Sequence, residues 1–350
     1  MQNDLVPIWR AHGSDGAFLI AEAGINHNGH FDLALELVRR AKAAGADCVK
    51  FQTFRTDACE SRHSSMPGYF AGRIGDMTKL EWSRSLEFSR DQFRDLREAC
   101  RREGIAFLST ACDVEGLKVL ADIGAEAVKI ASADCVNLYL LRAVAETGLP
   151  VLLSTGMTDL DEVSRAVEVL LGGGTAALCL LQCTSQYPAP YDQIHLRAMA
   201  TLRERFGVPV GLSDHSPGIH IPMAAAALGA AVVEKHFTLS RELPGVDHAA
   251  SLNPDEFQAM ATGIREVEAA LGDPEKRLQQ CERGNIEAMR KSLMAARPIP
   301  AGKVIELDDL AAKRPGGGMP PSRLGEVLGK RAASDIAPED FITPSLLQDA

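Results

Sequence analysis

The sequence predicts an α/β protein, a parallel (β/α)8 barrel of the TIM type followed by a small C-terminal domain. Three observations carry this reading: eight short apolar, β-branched runs between residues 18 and 236, amphipathic segments between them, and polar or charged residues at the run ends. Strands alternating with helices build a parallel sheet. Eight such units close a barrel, and the strand ends then converge on one cavity.

The strands are expected at Phe18–Gly24, Cys48–Phe54, Ala106–Thr110, Ala127–Ser132, Val151–Gly156, Ala177–Thr184, Val210–His215 and Val232–His236. Between the first two, Phe31–Ala44 places Leu33, Leu37 and Ala41 near helical spacing, and Ser89 is suited to cap a helix over Asp91–Arg102. The connection from Arg55 to Arg90 is long for a βα loop and reads as a lid or as a tolerated insertion. Asn26-His27-Asn28-Gly29 carries turn chemistry. Domain bounds are expected at 1–272 for the barrel, 273–290 for a linker and 291–350 for the C-terminal domain. That last part is short, rich in Pro and Gly, and holds an internal echo, Ile299 to Leu310 (IPAGKVIELDDL) against Ile336 to Leu347 (IAPEDFITPSLL).

Composition narrows the function classes. Hydrophobic residues are 46% and charged residues 24%, an ordinary globular balance. A formal net charge of −10 leaves no basic footprint for nucleic acid or an anionic membrane, so an anionic substrate needs local cations. Met1 to Arg10 lacks a basic region followed by an apolar run, and no apolar stretch approaches the ~20 residues of a membrane span, so a cytoplasmic location is expected. The eight cysteines are scattered and read as free thiols.

The expected strand ends carry Glu22, Lys50 with Gln52, Thr110, Lys129 with Ser132, Ser154, Thr184, Ser213 with His215, and Glu234 with His236. Residues two apart share a face, so Lys50 with Gln52, Ser213 with His215 and Glu234 with His236 can share the mouth, while Asp214 and Lys235 take the opposite parity and are expected to support loops or the helix layer rather than touch substrate. Lys129 and Ser132 break parity and require a bend after Lys129. His215 and His236 end neighbouring strands and suit one divalent metal; nitrogen and oxygen donors without thiolate favour Mn²⁺ or Mg²⁺, with Co²⁺ a further fit. Lys50 and Lys129 sit in apolar runs, where an unpaired ammonium is costly. Three resolutions stand: an anion at the mouth, a salt bridge to Glu22 or Asp134, or a Schiff-base lysine. Glu22 is placed to orient water or take a proton.

The runs AEAGINHNG, VKFQTF, KIAS, LSTGM, QCTSQYPAP, GLSDHSPG, EKHFTL and PGVDHAASLNP resemble, in order and spacing, the sialic acid synthase family of nonulosonate synthases. RKSLMAARPIPAGKVIELDDLAAKRPGGG resembles that family's antifreeze-like (SAF) domain, a β-clip fold. The resemblance implies an enzyme that condenses phosphoenolpyruvate with an N-acylated mannosamine-type sugar aldehyde and water, releasing phosphate and a nine-carbon 2-keto sugar acid. It implies that Lys50, Gln52, Thr110, Lys129, Ser132, Ser154 and Ser213 hold phosphoenolpyruvate, that His215 and His236 bind metal, and that Tyr187 and Asp247 contact the sugar. Glu22 and Glu234 match active-site carboxylates. Arg314 matches a residue that one subunit's SAF domain inserts into its partner's barrel, which implies a domain-swapped homodimer.

Departures from the family pattern bear on the acceptor. ASADC (Ala131–Cys135) stands where several members carry GSGE or GSGD, keeping an acid at Asp134, and Ser185 stands where some carry Asn. KIAS and HFTLSR lean toward the pseudaminic branch, and DHAASL toward the sialic and legionaminic branches, so legionaminic or pseudaminic acid synthase is the alternative product assignment. The other readings are a pyruvate Schiff-base aldolase and a non-catalytic carbohydrate- or ice-binding protein.

Overall fold

A computed structural model describes residues 8–11, 16–65 and 75–349. The chain divides into two compact units, residues 1–272 and 273–350. Strands β1 (Phe18–Gly24), β2 (Cys48–Thr53), β3 (Ala106–Ala111), β4 (Val128–Ile130), β5 (Val151–Ser154), β6 (Leu178–Cys183), β7 (Val210–Asp214) and β8 (Val232–His236) close into one barrel in chain order. All neighbouring strands are parallel, and β8 pairs with β1. Most sequence bounds differ by a residue or two. β4 is shortened the most, to three residues, because the chain turns into a 3₁₀ segment at Ser132–Asp134, which supplies the bend that Lys129 and Ser132 require.

Side-chain alternation sorts the barrel into two apolar regions. Outward residues such as Leu19, Val49, Leu153, Leu180 and Val233 pack under the helices. Inward residues Phe18, Ile20, Cys48, Ala106, Leu108, Leu152, Cys179, Leu181 and Val232 fill the lower interior, with Ile8 and Trp9 against them. One step higher, the same inward rows carry Glu22, Lys50, Thr110, Lys129, Ser154 and Glu234, all buried. The interior therefore changes from hydrocarbon to charge along the strand direction. That step is what makes the upper end a site.

The helix ends follow local chemistry. Phe31–Ala43 buries Ala34, Leu37, Val38 and Ala41. Arg90–Glu103 begins at Ser89, whose side chain and that of Gln92 reciprocally bond each other's backbone amides. Gly29 has φ +77°, and a Cβ there would lie 2.1 Å from the Ser85 carbonyl, so the Asn28-Gly29 turn packs against the long β2–β3 connection. That connection holds helices at Thr56–Cys59 and Lys79–Ser85, and the lid reading falls partly on 66–74, outside the described residues. No helix among the described residues is long and apolar enough to cross a membrane.

In the second unit the stretch read as a linker holds a short helix, Arg283–Met289. β9 (Ser292–Ala295) pairs antiparallel with β10 (Leu310–Lys313), and β11 (Arg331–Ala332) with β12 (Leu347–Gln348). The internal echo has a structural counterpart. Ile299 and Ile336 bridge each other through two backbone hydrogen bonds, and each echo ends in a 3₁₀ turn leading into β10 or β12.

Candidate active site

Register places the polar residues in neighbouring rows. Glu22 lies beside Lys50 and His236, Gln52 beside Thr110, Thr110 beside Lys129, and Ser213 beside Glu234. Lys50 Nζ is 2.5 Å from Glu22 Oε2 and 3.7 Å from Glu234 Oε2, and it donates to Thr110 Oγ1 at 3.1 Å. Lys129 Nζ is 3.5 Å from Glu234 Oε1, which also accepts the Ser213 hydroxyl at 2.9 Å. Gln52 Nε2 donates to Glu22 Oε1 at 3.1 Å. The salt-bridge resolution thus holds for Lys50 with Glu22. For Lys129 the partner is Glu234 rather than Glu22 or Asp134, because β4 and β8 face each other across the closed interior. Asp134 instead accepts a hydrogen bond from Asn137 Nδ2 at 2.9 Å in the turn after β4.

Two buried ammoniums and two buried carboxylates make a quartet with titration states set by neighbours. Burial is the largest influence on Glu22 and raises its pKa despite Lys50 beside it. Burial would raise Glu234 too, but Lys129, Lys50 and the Ser213 hydroxyl outweigh it and hold that carboxyl low. Burial lowers Lys129, whereas Glu22 and Glu234 overcome the same effect at Lys50 and raise it. Glu22 is therefore the carboxylate of the pair that takes up a proton more readily.

Around the quartet lie polar atoms suited to a ligand. Ser154 Oγ and His236 Nδ1 are buried without a hydrogen-bond partner among the described residues, a cost that a bound group would relieve. Ser132 Oγ accepts the Gly156 amide at 3.0 Å, and a Cβ on Gly156 would lie 2.4 Å from Ser185 Oγ. The His215 and His236 rings are 5.3 Å apart, centroid to centroid, with the Tyr187 ring 4.1 Å from His215. His215 Nδ1 is 2.8 Å from the Thr184 carbonyl, which only accepts, so Nδ1 carries a proton; burial lowers the pKa of this ring, but the Cys183 thiol and the Thr184 carbonyl outweigh it and raise it. Burial, then His215 and Lys50, push His236 well below the usual imidazole range, keeping it neutral. His236 is thus in a state that fits a metal ligand, and His215, with Nδ1 held by the Thr184 carbonyl, offers Nε2 when that nitrogen is deprotonated. Among the described residues no three His, Cys, Asp or Glu side chains gather into a complete metal cage, so a metal here would take its remaining ligands from substrate and water.

Asp247 Oδ2 is 3.8 Å from His236 Nδ1. A cavity of about 390 Å³ opens beside Tyr187, lined also by Pro188, Ser216, Gly218, Arg241 and Val246. Arg314 lies in the second unit, exposed, with Nε donating to the Met289 carbonyl at 3.0 Å. Sequence reasoning passed over two residues. Cys183, read with the other scattered cysteines as a free thiol, has Sγ 3.8 Å from His215 Nδ1 and 3.9 Å from Ser185 Oγ; its inward parity with Leu181 was the available signal. His248 is buried with Nδ1 2.7 Å from Thr238 Oγ1 and Nε2 3.3 Å from Asn28 Oδ1, tying together the loops after β1 and β8. Only its place next to Asp247 marked it.

The model of the NeuB family matches residues 37–276, more than half of the chain. This chain belongs to the NeuB family. The SAF domain model matches residues 290–348. Among NeuB relatives, the N,N'-diacetyllegionaminic acid synthase of Campylobacter jejuni is 39% identical over 93% of this chain and 98% of its own. The human N-acetylneuraminate-9-phosphate synthase is 34% identical over 100% of this chain and 98% of its own. In three dimensions the chain is similar to the N-acetylneuraminic acid synthetase of Leptospira borgpetersenii, with TM-score 0.68 and 35% identity over 78% of this chain and 91% of that one. The NeuB chain is thus a sialic acid synthase family enzyme, and neither the aldolase nor the non-catalytic reading is favoured.

Proposed function

We propose that this enzyme condenses phosphoenolpyruvate with an N-acylated mannosamine-type sugar in its open-chain aldehyde form and water, giving a nine-carbon 2-keto sugar acid and phosphate. The observation that carries the reading is the buried quartet of Glu22, Lys50, Glu234 and Lys129, with Glu22 in register beside His236, whose ring is paired with that of His215. Phosphoenolpyruvate brings a phosphate and a carboxylate to Lys50 and Lys129, with Gln52, Thr110, Ser132, Ser154 and Ser213 as hydrogen-bonding partners. Ser154 Oγ, buried without a partner among the described residues, is the hydroxyl left over for it. Entry of that charge raises the Glu22 pKa further and favours its protonated form.

His215 and His236 would hold Mn²⁺, or Mg²⁺ or Co²⁺, and a bound divalent ion would act as a Lewis acid on the aldehyde oxygen. The methylene carbon of phosphoenolpyruvate attacks the aldehyde carbon, and the cationic centre left at C2 is taken by water oriented at Glu22. Collapse of the tetrahedral intermediate breaks the C–O bond and releases phosphate, whose charge Lys50 and Lys129 offset. Tyr187, which lines the cavity, binds the sugar together with Asp247 and Ser185, and Asp134 completes the rim after β4. Arg314 acts on the partner's barrel in a domain-swapped homodimer.

Relatives at 34–39% identity include N,N'-diacetyllegionaminic acid, N-acetylneuraminate-9-phosphate and pseudaminic acid synthases, so the acceptors to test are N-acetylmannosamine and the diacetamido-trideoxyhexoses. The test incubates purified protein with phosphoenolpyruvate, Mn²⁺ and a panel of both acceptor classes, measuring phosphate release and product mass. Acceptor-dependent phosphate release is expected. Trapping of a pyruvate adduct on a lysine by borohydride, with phosphoenolpyruvate left untouched, would overturn the reading in favour of an aldolase.

A further inference from the structure

Behind the rim, on the sheet face that packs against the helices, lies a second pair of charges that the proposed chemistry does not use. Asp214 on β7 and Lys235 on β8 are register partners, and both side chains are 1% exposed. Lys235 Nζ donates to Asp214 Oδ2 at 2.6 Å and also to the Ser216 carbonyl. Asp214 accepts the Ser216 amide at Oδ1, 3.0 Å, and the Ser216 hydroxyl at Oδ2, 2.8 Å. The flanking residues of the same parity, Val233 on β8 and Phe237 just after it, are fully buried hydrophobics. An ammonium and a carboxylate have been inserted into apolar core.

Stability is a poor reason for this. A buried ion pair loses most of its attraction to desolvation, and apolar side chains of similar volume do as well or better. What the pair holds is more informative. Beyond each other, the side-chain hydrogen bonds of Asp214 and Lys235 among the described residues all go to Ser216. Residues 214 and 216 are thereby drawn into one closed turn, with His215 between them and its ring on the opposite face, toward Thr184 and Tyr187. The same turn is a dock for the loop after β6: the Ala189 amide donates to the His215 carbonyl at 2.9 Å, and the Tyr191 hydroxyl donates to the Pro217 carbonyl at 3.1 Å. That loop carries Tyr187.

We propose that Asp214 and Lys235 are positioning residues that set the His215 imidazole and, through Ala189, the Tyr187 ring at the mouth of the barrel. The proposal rests on the ligand role assigned to His215 above. A group that must meet a metal and a substrate has to be held to about 0.5 Å, and residues supporting a ligand typically cost 10–100-fold in metal affinity when lost.

The test uses the full chain with Asp214→Leu and Lys235→Met combined, which replaces the ion pair by hydrocarbon and leaves the phosphoenolpyruvate cradle untouched. Four quantities are read: melting temperature, Mn²⁺ affinity by calorimetry without substrate, the ¹⁵N resonances of the His215 ring at a pH where it is neutral, and kcat with KM for phosphoenolpyruvate. Expected are a cooperative transition at a lowered melting temperature, because the buried Ser216 amide, hydroxyl and carbonyl lose these partners, Mn²⁺ binding weakened by roughly 10–100-fold, shifted His215 resonances, and a fall in kcat with KM little changed. A folded double variant with wild-type Mn²⁺ affinity and unshifted His215 resonances would overturn the proposal. If the double variant does not fold, Lys235→Met with Asp214→Asn, which keeps a carbonyl for the Ser216 amide, carries the same test. If the wild type binds no Mn²⁺, the metal reading fails, and the His215 resonances alone then decide the positioning role.

Discussion

His27 makes the barrel acid-sensitive in a way that can be calculated. Its ring is 1% exposed and stacks on Phe88 at 4.1 Å between centroids, and its Nδ1 accepts the Gly29 amide at 3.0 Å. Protonating Nδ1 would turn that acceptor into a donor facing an N–H. Burial, with a smaller contribution from His30, lowers the pKa from 6.5 to about 3. The folded-state value lies below the unfolded one, so as pH falls the unfolded chain binds the proton first. The stability contributed is complete above pH 6.5 and is lost as pH falls toward about 3. At 1.36 kcal/mol per unit, moving from pH 7 to pH 5 costs about 2 kcal/mol through this residue alone. His27→Asn keeps a side-chain acceptor and removes the titration. Urea unfolding of the barrel is followed by fluorescence, since both tryptophans, Trp9 and Trp82, lie in residues 1–272. The variant starts less stable at pH 7 by about 1 kcal/mol for the lost aromatic pair, and should lose about 2 kcal/mol less than wild type between pH 7 and pH 5. His248, lowered to about 4 mainly by burial, titrates alike in both proteins and cancels. Parallel pH profiles for the two proteins would refute the reasoning.

Four further outcomes are expected. Gly156→Ala puts a Cβ 2.4 Å from Ser185 Oγ and 2.9 Å from Ser132 Oγ; displacement of Ser132 should raise KM for phosphoenolpyruvate on the order of tenfold or more, and wild-type KM would remove Ser132 from the cradle. Replacing His215 or His236 with Ala should cut Mn²⁺-dependent turnover by at least about 100-fold with a much smaller change in melting temperature; unchanged Mn²⁺ affinity in both variants would exclude them as ligands. With ¹⁸O in the bridging position of phosphoenolpyruvate, the label should leave in phosphate, and its recovery in the sugar acid would rule out attack of water at C2. Lys129→Ala and Arg314→Ala variants should each be nearly inactive alone and regain activity when mixed under subunit exchange. No recovery despite demonstrated exchange would place Arg314 within its own chain's chemistry or outside the chemistry.

The inward set of this site was legible because an extended chain alternates faces whatever surrounds it. Lys50 with Gln52, and Glu234 with His236, fall on one face by count, and Asp214 with Lys235 fall on the other; the burial pattern and hydrogen bonds agree at each position. The bend after Lys129 followed from the same counting, since Ser132 could not otherwise reach the mouth. Partners across the interior were beyond that reasoning. Nothing near Lys129 in the chain points to Glu234, 105 positions later by the numbering, and the acid close in sequence, Asp134, bonds Asn137 instead. Cys183 looked like its scattered neighbours until His215 stood beside it. The internal echo was visible as a pattern, whereas its pairing through Ile299 and Ile336 was not. Residue order alone determines which face a side chain takes on a strand and where a helix begins. Which residues then meet depends on strand tilt and stagger around the closed barrel, quantities set by the packing of all eight strands and recorded in no local stretch of sequence.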